Sequence, residues 1–291
     1  MWDVIFDSLL DALKDGAILL PFLWLAFLII EGTEHHTRGW LTKFATNGKK
    51  TGPIWGSLLG LIPQCGFSVM GANMYAGGII TIGTLMAIFL STSDEAIILM
   101  VTEPGAIGKI LPLLLCKFII GLVFGFAIDF ARKLKYKNKA VGTVEHHHEP
   151  HDLCENCGCN KYPGIVRPAL YHTVKLFIFI FIITFVLNLL FGFIGSERLS
   201  TFLLSGSIFQ PFLTALIGLI PNCAASVLIT ELYISGGISF ASAVAGLCAG
   251  AGIGLAVLFR MHSCTKKNIG IVAMLYAISV FCGVVISIFG F

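Results

Sequence analysis

Two short polar motifs lie inside the most apolar stretches of this chain. The segment GLIPQCGFSV (60–69) recurs as GLIPNCAASV (218–227). A proline inside a helix frees a backbone carbonyl and kinks or breaks the helix. The amide, thiol and hydroxyl groups beside each break can bind a dehydrated cation, or they can be small polar residues that pack helices. Because the pattern occurs twice, we favour a binding site. Its predicted ligands are Gln64, Cys65, Ser68, Asn222, Cys223 and Ser226.

A third polar stretch, STSDE at 91–95, lies between two short apolar runs. Adjacent carboxylates at membrane depth are costly and by default mark an ion or proton pathway. Alternatively, Ser93 caps the next helix, and Asp94 and Glu95 favour the positive end of its dipole. We expect Ser93, Asp94 and Glu95 to take part in ion binding.

Lys117 and Glu231 are the candidates for coupling transport to proton movement. Lys117 falls in the middle of the apolar segment LPLLLCKFIIG, where it can pair with Asp94 or Glu95, or snorkel to the interface. Glu231 occupies the position equivalent to Asn73, either in a vestibule after the break or at a solvated loop edge.

A different kind of site is predicted in the loop sequence HHHEPHDLCENCGC. Imidazole and thiolate groups at this spacing suit borderline or soft metals such as Zn²⁺, Cu⁺ or Cd²⁺. We predict that the loop captures or senses metal through His146, His147, His148, His151, Cys154, Cys157 and Cys159.

The amino-acid composition indicates that these polar motifs belong to a membrane protein. Of 291 residues, 12% are charged and 56% are apolar, with 24 phenylalanines. Soluble domains carry about 25% charged residues. The chain is therefore predicted to be an all-α integral membrane protein whose partner is the lipid bilayer.

The net charge of +3, carried mostly by loops, argues against nucleic-acid binding. The sequence contains no G-x4-G-K-[ST] motif and no haem, flavin or dinucleotide signature. We therefore predict no prosthetic group and no ATP-driven pump.

About ten membrane helices are expected, with eight as the alternative because four of the segments are short. They are 12–31, 53–75, 79–91, 95–103, 106–131, 169–195, 207–232, 238–250, 251–260 and 268–290. The chain then divides into a first membrane repeat (1–131), a His/Cys-rich loop (132–168) and a second membrane repeat (169–291). If the N-terminus is outside, 14 Lys and Arg residues fall on the cytoplasmic side and three on the other. The positive-inside rule thus places both termini outside.

The two halves are related by an internal repeat. Residues 58–87 and 216–245 are identical at twelve of thirty positions without a gap, at an offset of 158. Each half has five predicted spans, an odd number, so the halves should lie in opposite orientations. Inverted repeats with broken helices are characteristic of secondary transporters.

These motifs together resemble the ten-helix heavy-metal exporter family, whose members are labelled arsenic efflux proteins or manganese transporters. The resemblance spans about 12–290 and is most specific at 58–96 and 216–254. It implies a bacterial cytoplasmic-membrane permease that exports a metal or metalloid and is not an enzyme.

The ligand groups of the two repeated motifs limit which substrates are expected. Arsenite prefers three thiols, whereas the repeat offers Cys65 and Cys223, and the oxygen groups suit a divalent cation of the Mn²⁺ or Zn²⁺ type. We therefore expect a transition-metal ion as substrate, exported in exchange for protons. Arsenite efflux, a membrane thiol oxidoreductase and a non-transporting metal sensor stay as alternatives. The oligomeric state is open, a homodimer included.

Overall fold

A computed structural model of the chain describes residues 51–93, 96–103, 106–137, 166–194, 209–262 and 264–289, with isolated positions between 10 and 28. The continuous ranges contain eleven helices. Their bounds are α1 51–60, α2 Gly66–Ala76, α3 Ile82–Ser91, α4 Ala96–Thr102, α5 Ile107–Lys137, α6 Val166–Ile194, α7 Gln210–Gly218, α8 Cys223–Ile234, α9 Phe240–Ala249, α10 Ile253–Met261 and α11 Thr265–Ile288.

The helices repeat along the chain with the sequence. Shifted by 158 residues, α1 to α4 match α7 to α10 to within one residue at each end, and the start of α5 matches the start of α11. The turns repeat as well, because Gly78 after α2 has φ 71° and Gly236 after α8 has φ 78°. Glycine adopts this left-handed conformation without a Cβ penalty.

Four segments within the described residues are long and apolar enough to cross a membrane. Two are the single helices α5 and α11, and two are the interrupted pairs α3–α4 and α9–α10. The interrupted pairs lie inside the fold, since every residue of α3 and all of α9 from Ala241 to Ala249 are buried. Helices α5 and α11 pack around them. The protein is therefore a multi-pass membrane protein with broken helices at its centre.

Helices α1 and α2 form a hairpin whose two ends lie beside the same part of α5. A Cβ on Gly125 would lie 2.9 Å from the Cβ of Pro53, near the start of α1. Tyr75, near the end of α2, lines a cavity together with Arg132. Ten helical residues rise about 15 Å, about half of a bilayer's hydrocarbon core. The hairpin is thus deep enough to reach the middle of a membrane but not to cross it.

Helices α7 and α8 form a second hairpin at the other end of α5. Tyr233, near the end of α8, lies under the Lys109 ammonium at 5.0 Å, and its ring is 5.9 Å from that of Phe240. Lys109 belongs to the first turn of α5, which is about 35 Å along that helix from Arg132.

The sequence interpretation of 53–75 and 207–232 as single helices differs from this arrangement. Each segment is two helices joined at the Pro63 or Pro221 motif, and in the first the chain returns to the end from which it came. Hydropathy did not reveal the reversal, because both arms of each hairpin are apolar.

Candidate functional site

The tips of the two hairpins share the same backbone hydrogen bond. In the first, the backbone N–H of Gln64 donates to the carbonyl of Ile62 at 2.7 Å; in the second, the backbone N–H of Asn222 donates to the carbonyl of Ile220 at 2.7 Å. Each tight turn replaces helical hydrogen bonds that the proline removes.

One serine in each hairpin stabilises the first turn of the second helix, α2 or α8. Ser68 Oγ donates to the carbonyl of Cys65 at 2.7 Å, and Ser226 Oγ donates to that of Cys223 at 2.8 Å. Because these bonds use the hydroxyl hydrogens, the remaining lone pairs of both oxygens are oriented as acceptors.

The two tips differ in their exposure and capping. Asn222 is buried, and its Oδ1 accepts from the Ala224 amide at 3.3 Å, so it caps α8. Gln64 is half-buried, and the N-cap residue of α2 is Cys65, without a side-chain cap. Cys223 is buried and Cys65 half-buried, and neither forms a disulfide with another described cysteine. The first tip therefore offers more accessible side chains than the second.

Each hairpin packs against the broken helix of the opposite half. Helix α2 lies on α10, where a Cβ on Gly254 would lie 2.8 Å from the Cβ of Ser68. Helix α8 contacts α4. The α9–α10 break contains Gly252 at φ 51°, a conformation that side chains rarely adopt. The structure thus brings Ser68 next to the glycine-rich break between α9 and α10. The internal repeat aligns this break with residues 92–96.

Lys117 lies between the two halves. Its side chain is fully buried, and Nζ donates to the carbonyl of Thr92, just after α3, and to that of Leu247 in α9 at 2.8 Å. It therefore does not snorkel to the interface. The sequence identified Lys117 as unusual but gave no sign of these carbonyl partners, which become adjacent only when α3, α5 and α9 pack together.

Ser93 is also buried, and its hydroxyl donates to the carbonyl of Ser91 at 3.1 Å. Glu231 is exposed, about 12 Å along α8 from Cys223. Among the described residues, no group of three or more His, Cys, Asp and Glu side chains is placed to hold a metal ion. The remaining predicted site residues lie outside the described part of the chain: Asp94, Glu95, His146, His147, His148, His151, Cys154, Cys157 and Cys159.

Asn73 is a buried polar residue that the sequence assigned to a vestibule or a loop edge. It is fully buried in α2, and neither amide atom has a hydrogen-bond partner. Its counterpart Glu231 is exposed, so the two halves differ at this position. The repeat alone could not indicate which of the two would be buried.

Interhelical polar contacts fix the start of the central helix α3. The Asp129 carboxylate on α5 accepts from the Thr81 hydroxyl at 2.6 Å and from the Gly83 amide at 3.0 Å. Gln210 has the corresponding role for α9, since its Oε1 accepts from Ser242 Oγ at 2.9 Å. These contacts anchor the helices whose inner ends surround Lys117.

Hairpins, interrupted helices and a buried polar centre define a multi-pass membrane protein. The chain belongs to the family described as "Putative, 10TM heavy-metal exporter", whose sequence model matches residues 1–196. The matched region contains the first hairpin, the His/Cys-rich loop and α6. The family resemblance inferred from the motifs is therefore confirmed. No curated protein and no solved structure matches the chain.

Proposed function

We propose that the protein is a secondary transporter that exports a divalent transition-metal cation of the Mn²⁺ or Zn²⁺ type from the cytoplasm in exchange for protons. Membership of the heavy-metal exporter family supports metal export. The observation that carries the rest is the buried Lys117 ammonium, held by carbonyls from both halves next to broken helices. An intramembrane ionisable residue of this kind is by default part of an ion or proton path.

The two halves act as inverted repeats. Support comes from the 158-residue offset of the helices and from the two hairpin bases, which lie beside Arg132 and Lys109 at opposite ends of α5. In such transporters the substrate binds between the repeats near the membrane midplane, and rocking of one repeat against the other alternates access.

Mixed ligands from the two tips bind the metal. Amide and hydroxyl oxygens of Gln64, Ser68, Asn222 and Ser226 suit Mn²⁺, and a softer ion such as Zn²⁺ would also use Cys65 and Cys223. Ser93, Asp94 and Glu95 complete the proposed set, the last two supplying negative charge. The loop histidines and cysteines at 146–159 capture the ion before it enters.

Lys117 couples metal binding to proton release. Its ammonium donates to carbonyls at the α3 end and in α9. A divalent cation arriving nearby destabilises this positive charge, so the ammonium loses a proton and becomes a neutral amine. When the metal leaves, a proton from the other side restores the ammonium. Glu231, exposed at the base of the second hairpin, receives or delivers protons at that end.

The same lysine favours a second candidate, export of neutral arsenite. A buried ammonium repels a divalent cation but not the uncharged As(OH)3. The two tip thiols would bind arsenic less completely than three would. Arsenite is therefore included in the test.

The test is the metal content of bacterial cells that express the wild type, C65A/C223A or the matched cysteine control C264A/C282A at equal membrane levels. Mn, Zn, Cu, Cd, Co and arsenite are each supplied. We expect wild type and control to lower the content of one divalent metal, and C65A/C223A to lose this effect if the ion is thiol-bound.

The outcomes separate the hypotheses. Manganese depletion that survives in C65A/C223A favours oxygen ligands, and depletion of arsenite alone favours the metalloid candidate. If no metal or metalloid changes in cells with wild type, the export proposal is wrong for these substrates. Metal tolerance that depends on the loop but not on the tips would favour the sensor, and thiol oxidation without transport would favour the oxidoreductase.

A further inference from the structure

A cavity of about 410 Å³ opens where the first hairpin returns to the end of the fold. It lies between α2, α3, α5 and α11, and its volume falls within the usual range of ligand pockets. The residues that matter for its chemistry are Tyr75, Ile82, Arg132, Lys267, Ile271 and Met274.

One part of the cavity is strongly positive. Arg132 and Lys267, from different helices, both line it and are both exposed. Asp129, one turn before Arg132, is the nearest carboxylate along α5, and it is already bonded to the Thr81 hydroxyl and the Gly83 amide. The cavity lining itself contains these two cations and no Asp or Glu side chain, so it carries a net positive charge.

The start of α11 adds to this positive potential. Lys267 lies in the first turn of α11, which contains no acidic residue, and the Cys264 side chain does not cap the helix. The first amides of a helix and its dipole attract an anion when no side chain caps them.

The rest of the cavity is apolar. Ile82, Ile271 and Met274 line it, and the adjoining outer faces of α5 and α11 carry exposed hydrophobic side chains such as Phe130 and Ile269. A small hydrophilic anion would leave these walls uncovered. A ligand with one anionic group and a hydrocarbon chain satisfies both parts.

We propose that this cavity binds an anionic phospholipid, with its phosphate between Arg132 and Lys267 and an acyl chain against the apolar wall. Basic pockets between membrane helices on the cytoplasmic side bind anionic headgroups. The Lys and Arg count assigns this end to the cytoplasmic side. The bound lipid joins α2 to α5 and α11, and it thereby holds the base of the first hairpin.

The second half does not reproduce the site. There Lys109 takes the place of Lys267 and stacks over Tyr233, while Phe240 takes the place of Ile82 with its ring 5.9 Å from that of Tyr233. At this end the Tyr233 ring contacts the cation. The asymmetry is consistent with a lipid site on one membrane face.

The experiment compares the full-length protein with R132Q/K267Q and with the charge-matched control K133Q/K266Q, whose residues are exposed neighbours outside the cavity lining. Thermal unfolding in neutral detergent is measured during titration with phosphatidylglycerol, phosphatidylcholine or inorganic phosphate. We expect phosphatidylglycerol to stabilise the wild type and the control, and its half-saturation concentration to rise about 30-fold in R132Q/K267Q. The charge-conserving R132K/K267R should bind as the wild type does.

Each of the following results would overturn the proposal. Equal weakening in both glutamine pairs would mean general surface attraction, and equal stabilisation by phosphatidylcholine would mean a neutral lipid groove. Stabilisation by inorganic phosphate alone would identify an anion site without a lipid. If R132Q/K267Q is not folded by size-exclusion chromatography, R132Q and K267Q are titrated singly, and unchanged half-saturation in both would also refute the site.

Discussion

Substituting Gly218 with alanine tests the packing on which the second hairpin depends. Gly218 is the last residue of α7, and a Cβ there would overlap the carbonyl oxygen of Gly246 in α9 and lie 2.9 Å from its carbonyl carbon. Ordinary van der Waals contact begins at 3.4 Å. Since the obstacle is backbone, no rotamer change relieves the overlap, and α7 must move away from α9.

The cost follows from this geometry. Overpacking of a tight core costs about 1–3 kcal/mol. Because the obstacle is backbone, we expect Gly218→Ala to lie at the upper end of this range, about 3 kcal/mol. At about 2.1 cal/mol/K of unfolding entropy per residue, this corresponds to a fall of about 5 °C in the thermal unfolding temperature of a 291-residue chain. The control is Gly108→Ala in the first turn of α5, where a Cβ meets nothing within 4 Å. We expect that variant to be unchanged or slightly more stable, because alanine favours helix over glycine by about 1 kcal/mol.

The assay is thermal unfolding of both variants in the same detergent, followed by the metal content of cells that express them. Gly218→Ala should unfold at a lower temperature than Gly108→Ala and export less, since the displaced α7 carries the tip at Asn222. Equal unfolding temperatures for the two variants would refute the close approach of α7 and α9.

Two further predictions concern buried polar side chains. Asn73→Leu should stabilise the protein by about 1–2 kcal/mol, because it removes a buried amide that has no hydrogen-bond partner. A lower unfolding temperature together with lost export would contradict this and show that the amide contributes to transport. Lys117→Arg replaces the ammonium with a guanidinium, which does not lose its proton in proteins. In proteoliposomes this variant should therefore show no metal-driven proton release. Proton release at the wild-type rate would exclude Lys117 as the group that exchanges the proton.

Much of the local structure follows from the sequence. Apolar runs interrupted by Gly and Pro predicted 79–91, 95–103 and 106–131, and the structure has helices at Ile82–Ser91, Ala96–Thr102 and Ile107–Lys137. Repeated residues predicted repeated local structure, and the bonds at Ile62 and Ile220 are the same in both tips. Local hydrogen bonding and propensity determine these features, so neighbouring residues suffice to specify them.

The direction of each hairpin arm was decided by tertiary packing. The Pro63 motif shows where a helix ends, but not whether the chain continues across the membrane or returns. Close approach at Gly125 places Pro53 beside α5, and the packing of α2 on α10 places Tyr75 at the same end. Apolar side chains favour burial equally in either direction.

The sequence by itself determined the membrane setting, the repeat and the residue types at the tips, because composition and local spacing encode them. The tertiary structure alone decided that Lys117 contacts carbonyls 25 and 130 residues away and that Asn73 is buried while Glu231 is exposed. Such contacts depend on which helices become neighbours, and that choice is a property of the whole packed chain rather than of any segment.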